Sequence, residues 1–191
     1  MSARDSSPAL GPLFLVSLVA IGFEISLTRY FAVASWSEYG YWVISIALAG
    51  ISASGVILSL FKETFAHHKD QLLLWIPTAL MPCAALGFYL ATINPFNPLQ
   101  LQNAELWLGQ LWNIGKYYLA LSPFFFLVGS YIGLYFVLYP REIPRAYGAD
   151  LTGAGIGGIA TLALMYWVHP SYLLAALMPM LVLDVRETPR L

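Results

Sequence analysis

The chain has 191 residues, of which 59% are hydrophobic and only 10% are charged, and its mean hydropathy is +0.71. Soluble domains carry about a quarter charged residues, so this composition excludes an ordinary soluble globule. The single cysteine excludes a disulfide scaffold, and the net charge of −1 argues against a nucleic-acid partner. We therefore predict an all-α, polytopic transmembrane helix bundle that is embedded in the lipid bilayer.

Taken in chain order, a short tail at 1–9 precedes five apolar stretches that are long enough to cross about 30 Å of hydrocarbon as helices. A sixth stretch is shorter, so the bundle is expected to have five to six helices. The predicted spans are 10–34, 41–61, 72–93, 117–139, 151–168 and 171–183. Between the third and fourth spans, Trp107 and Trp112 lie among leucines and amides. This pattern predicts an interfacial helix over 99–112 on the outer surface.

The distribution of Lys and Arg predicts the orientation of the spans. With the N-terminus inside and six crossings, the outer loops hold only Lys116, and Arg29 lies within the first span. The inner side holds the other seven cationic residues, which are Arg4, Lys62, Lys69, Arg141, Arg145, Arg186 and Arg190. We therefore expect a multi-pass protein of the plasma membrane with both termini in the cytoplasm.

Glu24, Thr28 and Arg29 are the candidate functional residues of the first span. A charge inside a membrane is costly unless it is paired, protonated or hydrated. Ser17, Glu24 and Thr28 form a polar stripe that should face other helices, whereas Arg29 can extend its charge toward the outer surface. Two interpretations stay open for Glu24: a carboxylate that binds a proton or a cation, or a buried hydrogen-bond partner that fixes the helix register.

Small residues recur on one face of three spans, where they allow helix backbones to approach closely. We interpret them as helix-packing positions. They are Ser45 and Ser52 in the second span, Gly129 and Gly133 in the fourth, and Gly153 and Gly157 in the fifth.

Asp150 is the fourth candidate functional residue, and it is expected to begin the fifth helix, where a carboxylate can accept hydrogen bonds from free N–H groups. The G-x-G-x-x-G at 153–158 follows a basic loop rather than a strand, so we reject it as a nucleotide-binding motif. His67, His68 and Cys83 have no partners at the spacing of a metal site or a thiol dyad. The sequence therefore predicts no catalytic group, no metal and no cofactor.

Two segments resemble a known family. The segment 21–29, with Phe23-Glu24 and Thr28-Arg29, is similar to the aromatic-Glu and Thr-Arg signature that opens the membrane half of spermidine-synthase-like membrane proteins. The segment 147–154, with Tyr147 and Asp150-Leu151, resembles the Tyr and Asp-Leu-x-Gly-Ala motif of a late glycine-rich helix in the same family.

This resemblance implies a membrane domain that anchors a cytoplasmic aminopropyltransferase-type domain with a methyltransferase-like fold. That domain would bind decarboxylated S-adenosylmethionine and an amine, and none of its motifs occurs in the 191 residues. The polar tail at 184–191 is interpreted as its start. Two alternatives remain: a small transporter or channel that attracts a cation through Glu24, or an accessory subunit of a larger membrane complex. Assembly of the chain into a homo-oligomer is also left open.

Overall fold

The computed structural model describes residues 10–34, 39–169 and 172–173. Within these ranges the chain is helical, with no strand. The helices are α1 (Leu10–Ala34), α2 (Tyr39–Leu60), α3 (Lys62–His67), α4 (Lys69–Thr92), α5 (Trp107–Leu138) and α6 (Ile143–Leu164). Short 3-10 turns at Pro98–Gln102 and Pro140–Glu142 lead into α5 and α6.

Four helices, α1, α2, α4 and α5, are long and apolar enough to cross a membrane. Prolines occur inside two of them, at Pro77 and Pro82 in α4 and at Pro123 in α5. Membrane helices tolerate proline because neighbouring helices and hydroxyl side chains can satisfy the backbone groups that it frees. The described part of the chain is therefore a helix bundle with four candidate membrane spans, as the composition predicts.

The boundaries of the last two described helices differ from those predicted. The fourth span was expected at 117–139, but α5 begins ten residues earlier and joins what we expected to be a separate interfacial helix. The fifth span was expected at 151–168, but α6 occupies 143–164 and does not belong to the four candidate spans. The sixth predicted span, 171–183, lies outside the described residues except for Tyr172 and Leu173.

Glycine contacts show how the helices run relative to one another. Gly153 of α6 packs against the backbone of α1 at Phe14, and Gly157 packs against it at Leu18. Because the residue numbers increase in the same direction along both helices, α1 and α6 are parallel. The same argument makes α2 and α5 parallel. There, Gly50 lies near Phe125 and Gly133 lies near Leu58.

Helix α4 runs antiparallel to α5. Gly87 packs on the backbone at Ala120, while Asn94, just beyond the end of α4, donates from Nδ2 to the carbonyl of Asn113 at 2.7 Å. With short connections between successive helices, this arrangement places two sets of polar residues at opposite ends of the bundle. One end, here called the basic end, carries Lys62, Lys69, Arg141 and Arg145.

The other end, here called the amide end, holds a network of Asn and Gln side chains. Gln110 donates from Nε2 to Gln100 Oε1 at 2.6 Å, and its own Oε1 accepts from the N–H of Asn97 at 3.0 Å. Gln110 and Asn113 are buried. These bonds hold residues 94–102 against the first turns of α5, which explains why Trp107 opens a transmembrane helix rather than a separate surface helix.

Helix α1 lies at the centre of the bundle. It is the most buried of the four spans and packs against α6, α2 and α5. Phe23 and Phe124 meet with ring centroids 4.3 Å apart, and Phe31 lies edge-on to Tyr117 at 5.2 Å. Two polar residues of α1, Ser17 and Ser26, are therefore buried among the helices.

Candidate functional site

The α1–α6 interface contains a direct polar contact. Ser17 Oγ donates to Asp150 Oδ1 at 2.5 Å and also lies 2.9 Å from the carbonyl oxygen of Leu13. A hydroxyl has one hydrogen, so the two acceptors share it or compete for it. A hydrogen bond to a carboxylate is stronger than one between neutral groups, which favours the bond between the two helices.

The position of Asp150 differs from the expectation that it begins a helix. Helix α6 starts at Ile143, followed by Pro144 in the first turn, so Asp150 lies in the helix interior. Proline suits a first turn because it has no N–H to leave unsatisfied. The carboxylate is thus seven residues from the first helical N–H groups and bonds to α1 instead.

Glu24 lies near the middle of α1 and is half-buried. It stands seven residues after Ser17, hence on nearly the same side of the helix. No hydrogen bond or ion pair of its carboxylate occurs among the described residues. The expected hydrogen-bond partner on a neighbouring helix is therefore missing from the described part of the chain.

The other two candidates on α1 lie apart from Glu24. The methyl carbon of Thr28 faces Gly40 at the start of α2. Arg29 is exposed and forms no ion pair within the described ranges. The structure thus brings Ser17 and Asp150 together, whereas Glu24, Thr28 and Arg29 do not form a cluster.

The predicted glycine positions lie at helix contacts, but the predicted serine positions do not. Gly129 packs on Ile51 and Ser54, Gly133 packs on Leu58, and Gly153 and Gly157 pack on α1. Ser45 and Ser52 are exposed, which corrects the expectation that they form the packing face of α2. That face is formed by the residues buried at three- and four-residue spacing, which are Val43, Ile46, Ala47, Gly50, Ser54 and Leu58.

Sequence reasoning did not single out Thr161. Thr161 is 1% exposed, and its Oγ1 has no hydrogen-bond partner among the described residues. It continues the four-residue spacing of Gly153 and Gly157, so it occupies the α6 face that packs on α1. That spacing is the sequence signal that could have identified it.

No cluster of His, Cys, Asp and Glu able to hold a metal ion occurs among the residues that the structure describes. A cavity of about 420 Å³ lies between α2 and α5. Its lining is apolar apart from two hydroxyl side chains and consists of Ala49, Gly50, Ala53, Tyr118, Ser122, Pro123 and Phe126. This lining suits an apolar group.

Comparison with models of known families, with curated proteins and with solved structures finds no match to this chain.

Proposed function

We propose that the chain is a plasma-membrane domain of five to six crossings whose basic end faces the cytoplasm. Support comes from the positions of Lys62, Lys69, Arg141 and Arg145 at one end of the bundle, whereas Lys116 lies toward the amide end. Lys and Arg are enriched in cytoplasmic loops of membrane proteins. The start of α1 lies at the basic end, so this orientation places the N-terminus in the cytoplasm.

Cysteine labelling of intact cells tests this orientation. In a Cys83→Ser background, Gln102→Cys at the amide end should react with an impermeant maleimide applied from outside. The matched variant His68→Cys, exposed at the basic end, should react only after the membrane is permeabilised. The reverse pattern would place the N-terminus outside and contradict the proposal.

We further propose that this domain anchors a cytoplasmic aminopropyltransferase-type domain, as in spermidine-synthase-like membrane proteins. The observation that carries the proposal is the pairing of α1 with α6. The two segments that resemble the family, 21–29 and 147–154, belong to these two helices, which are in direct contact through Ser17 and Asp150. Residues that match two separate motifs thus belong to one helix pair, as expected if they support a common structural role.

The native protein, extracted from its own membrane, provides the test. We expect an intact mass above 21.1 kDa by the roughly 20–30 kDa of a typical additional domain. We also expect transfer of a labelled aminopropyl group from decarboxylated S-adenosylmethionine to an amine, absent from a heat-inactivated sample. A mass near 21.1 kDa would refute the anchor proposal, and subunits that copurify at fixed ratio would then favour the role of an accessory subunit.

A further inference from the structure

The cavity between α2 and α5 opens toward the outside of the bundle. On its α2 wall, Ala49 and Ala53 are exposed, while Gly50 between them is buried. On its α5 wall, Pro123 is also exposed. The volume of about 420 Å³ lies within the range of pockets that bind small ligands, roughly 300–1,000 Å³. Because α2 and α5 are candidate membrane spans, a molecule that enters through this opening comes from the bilayer.

Lys116 indicates the level of the lipid headgroups on α5. Its Nζ lies 6.0 Å from the centre of the Trp112 ring and 3.4 Å from Asn113 Oδ1, so the side chain extends toward the amide end. Tryptophan and extended lysine side chains are typical of the membrane surface. The α5 wall of the cavity, 118–126, lies about 3 to 15 Å deeper, at 1.5 Å per residue. This is the depth of the acyl chains of one leaflet, about 15 Å of hydrocarbon.

Helix α2 gives a similar depth from the other wall. It begins at the amide end, where Tyr41 is 76% exposed, and tyrosine is also typical of the membrane surface. Ala49 and Ala53 follow Tyr41 by about 12 and 18 Å along the helix. Both walls thus place the cavity in the leaflet at the amide end, with its deepest part near the middle of the bilayer.

The α5 wall becomes less polar with depth. Tyr118 and Ser122 bring hydroxyl groups to its upper part, and Phe126 forms its deepest part. Neither hydroxyl forms a hydrogen bond among the described residues, whereas the hydroxyl of Thr78 on α4 bonds to a carbonyl of its own helix. Ammonium, hydroxyl and apolar groups thus follow one another along α5. A phospholipid has the matching order of phosphate, ester carbonyls and hydrocarbon.

We propose that this cavity binds one acyl chain of a phospholipid from the leaflet at the amide end. Lys116 pairs with the phosphate, the hydroxyls of Tyr118 and Ser122 donate to the ester carbonyls, and the chain fills the space beside Ala49 and Ala53. The proposal is independent of the anchor role and of the orientation of the protein, because it refers only to the leaflet at the amide end.

Photolabelling tests the site in liposomes that contain the full-length protein and a phosphatidylcholine with a diazirine in one acyl chain. Light releases N₂ from the diazirine, and the carbene that remains inserts into a neighbouring C–H or O–H bond. Peptide mass spectrometry should find more label on Ser122 and Phe126 than on Leu86 of α4. Leu86 is 58% exposed and precedes Gly87, which packs on Ala120, so it reports ordinary lipid contact at the same depth.

The position of the diazirine tests how the lipid is oriented. A diazirine near the ester should label Tyr118 more than Phe126, and one near the methyl end should label Phe126 more than Tyr118. The opposite order would contradict the proposal, because the headgroup would then lie toward the basic end.

A variant that fills the cavity should exclude the chain. Ala53→Phe places a ring at the opening, so the label on Ser122 and Phe126 should fall to the level found on Leu86. The matched control is Ala85→Phe, which adds the same ring at an exposed position of α4 outside the cavity. This control should keep the label on Ser122 and Phe126 unchanged.

Two further results would overturn the proposal. They are labelling of Ser122 and Phe126 no greater than that of Leu86, and a label on them that Ala53→Phe leaves unchanged. A side chain from a second copy of the chain would also keep lipid out of the cavity, and so would give the first of these results. If Ala53→Phe fails to accumulate in the membrane, the comparison with Leu86 in the native protein decides the matter.

Discussion

Replacing Gly157 by alanine is expected to destabilise the membrane domain by about 2 to 3 kcal/mol, a typical cost of adding a methyl group where the packing cannot relax. The added Cβ would overlap the backbone of α1 at Leu18. Backbone atoms cannot move aside as the end of a flexible side chain can, so α6 must separate from α1. Reversible unfolding in mixed micelles of increasing dodecyl sulfate content measures the loss.

Gly155→Ala provides a control on the same helix. Nothing lies within 4 Å of a Cβ placed at Gly155, and alanine has a helix propensity better than glycine by about 1 kcal/mol in water. This variant should be as stable as the native protein or slightly more stable. Equal destabilisation by both substitutions would show that α6 does not pack on α1 through Gly157.

The second large effect is expected from the bond between Ser17 and Asp150. A double-mutant cycle of Ser17→Ala and Asp150→Ala should give a coupling energy of about 1.5 kcal/mol, because hydrogen bonds to charged groups exceed those between neutral groups. Neutral side-chain bonds in membrane proteins average about 0.6 kcal/mol. The same unfolding assay, applied to both single variants and the double variant, gives the coupling.

A second cycle supplies the control for this prediction. Thr152→Ala removes a polar side chain two residues from Asp150, but its hydroxyl is exposed and bonds within α6 to Gly148 and Ala149. Ser17→Ala and Thr152→Ala should therefore be additive. If the cycle with Asp150 is also additive, then the contact between Ser17 and Asp150 contributes nothing to the stability of the bundle.

Hydropathy predicts the spans because burial in hydrocarbon requires about 20 apolar residues, whatever the neighbouring helices are. The bounds of the first predicted span, 10–34, coincide with those of α1. Hydropathy fails at Trp107–Lys116, where amides interrupt the apolar pattern and yet the helix continues. There the helix depends on the bonds of Gln110 and Asn113 with residues 94–100, which are tertiary interactions that composition does not reveal.

Helix pairing could be predicted only in part. Glycines at four-residue spacing predict close contacts in α5 and α6. Glycine has no side chain, so its main effect in the middle of a helix is to let a neighbouring helix approach closely. Serine is less informative: α2 carries small residues on several faces, and Ser54 rather than Ser52 packs on α5. The pairing of Asp150 with Ser17 depends on the first turn of α6, where Pro144 shifts the helix start away from Asp150.

The parallel pairing of α1 with α6 has a consequence for biosynthesis. Ser17 and Asp150 are separated by 133 positions in the chain, so α1 leaves the ribosome and enters the membrane well before its main partner exists. Until α6 has been inserted, the face of α1 that carries Phe14, Ser17 and Leu18 must be shielded by lipid or by the insertion machinery. Docking of α6 onto α1 is therefore a late step in assembly, and slow insertion of α6 would leave Ser17 without its Asp150 partner.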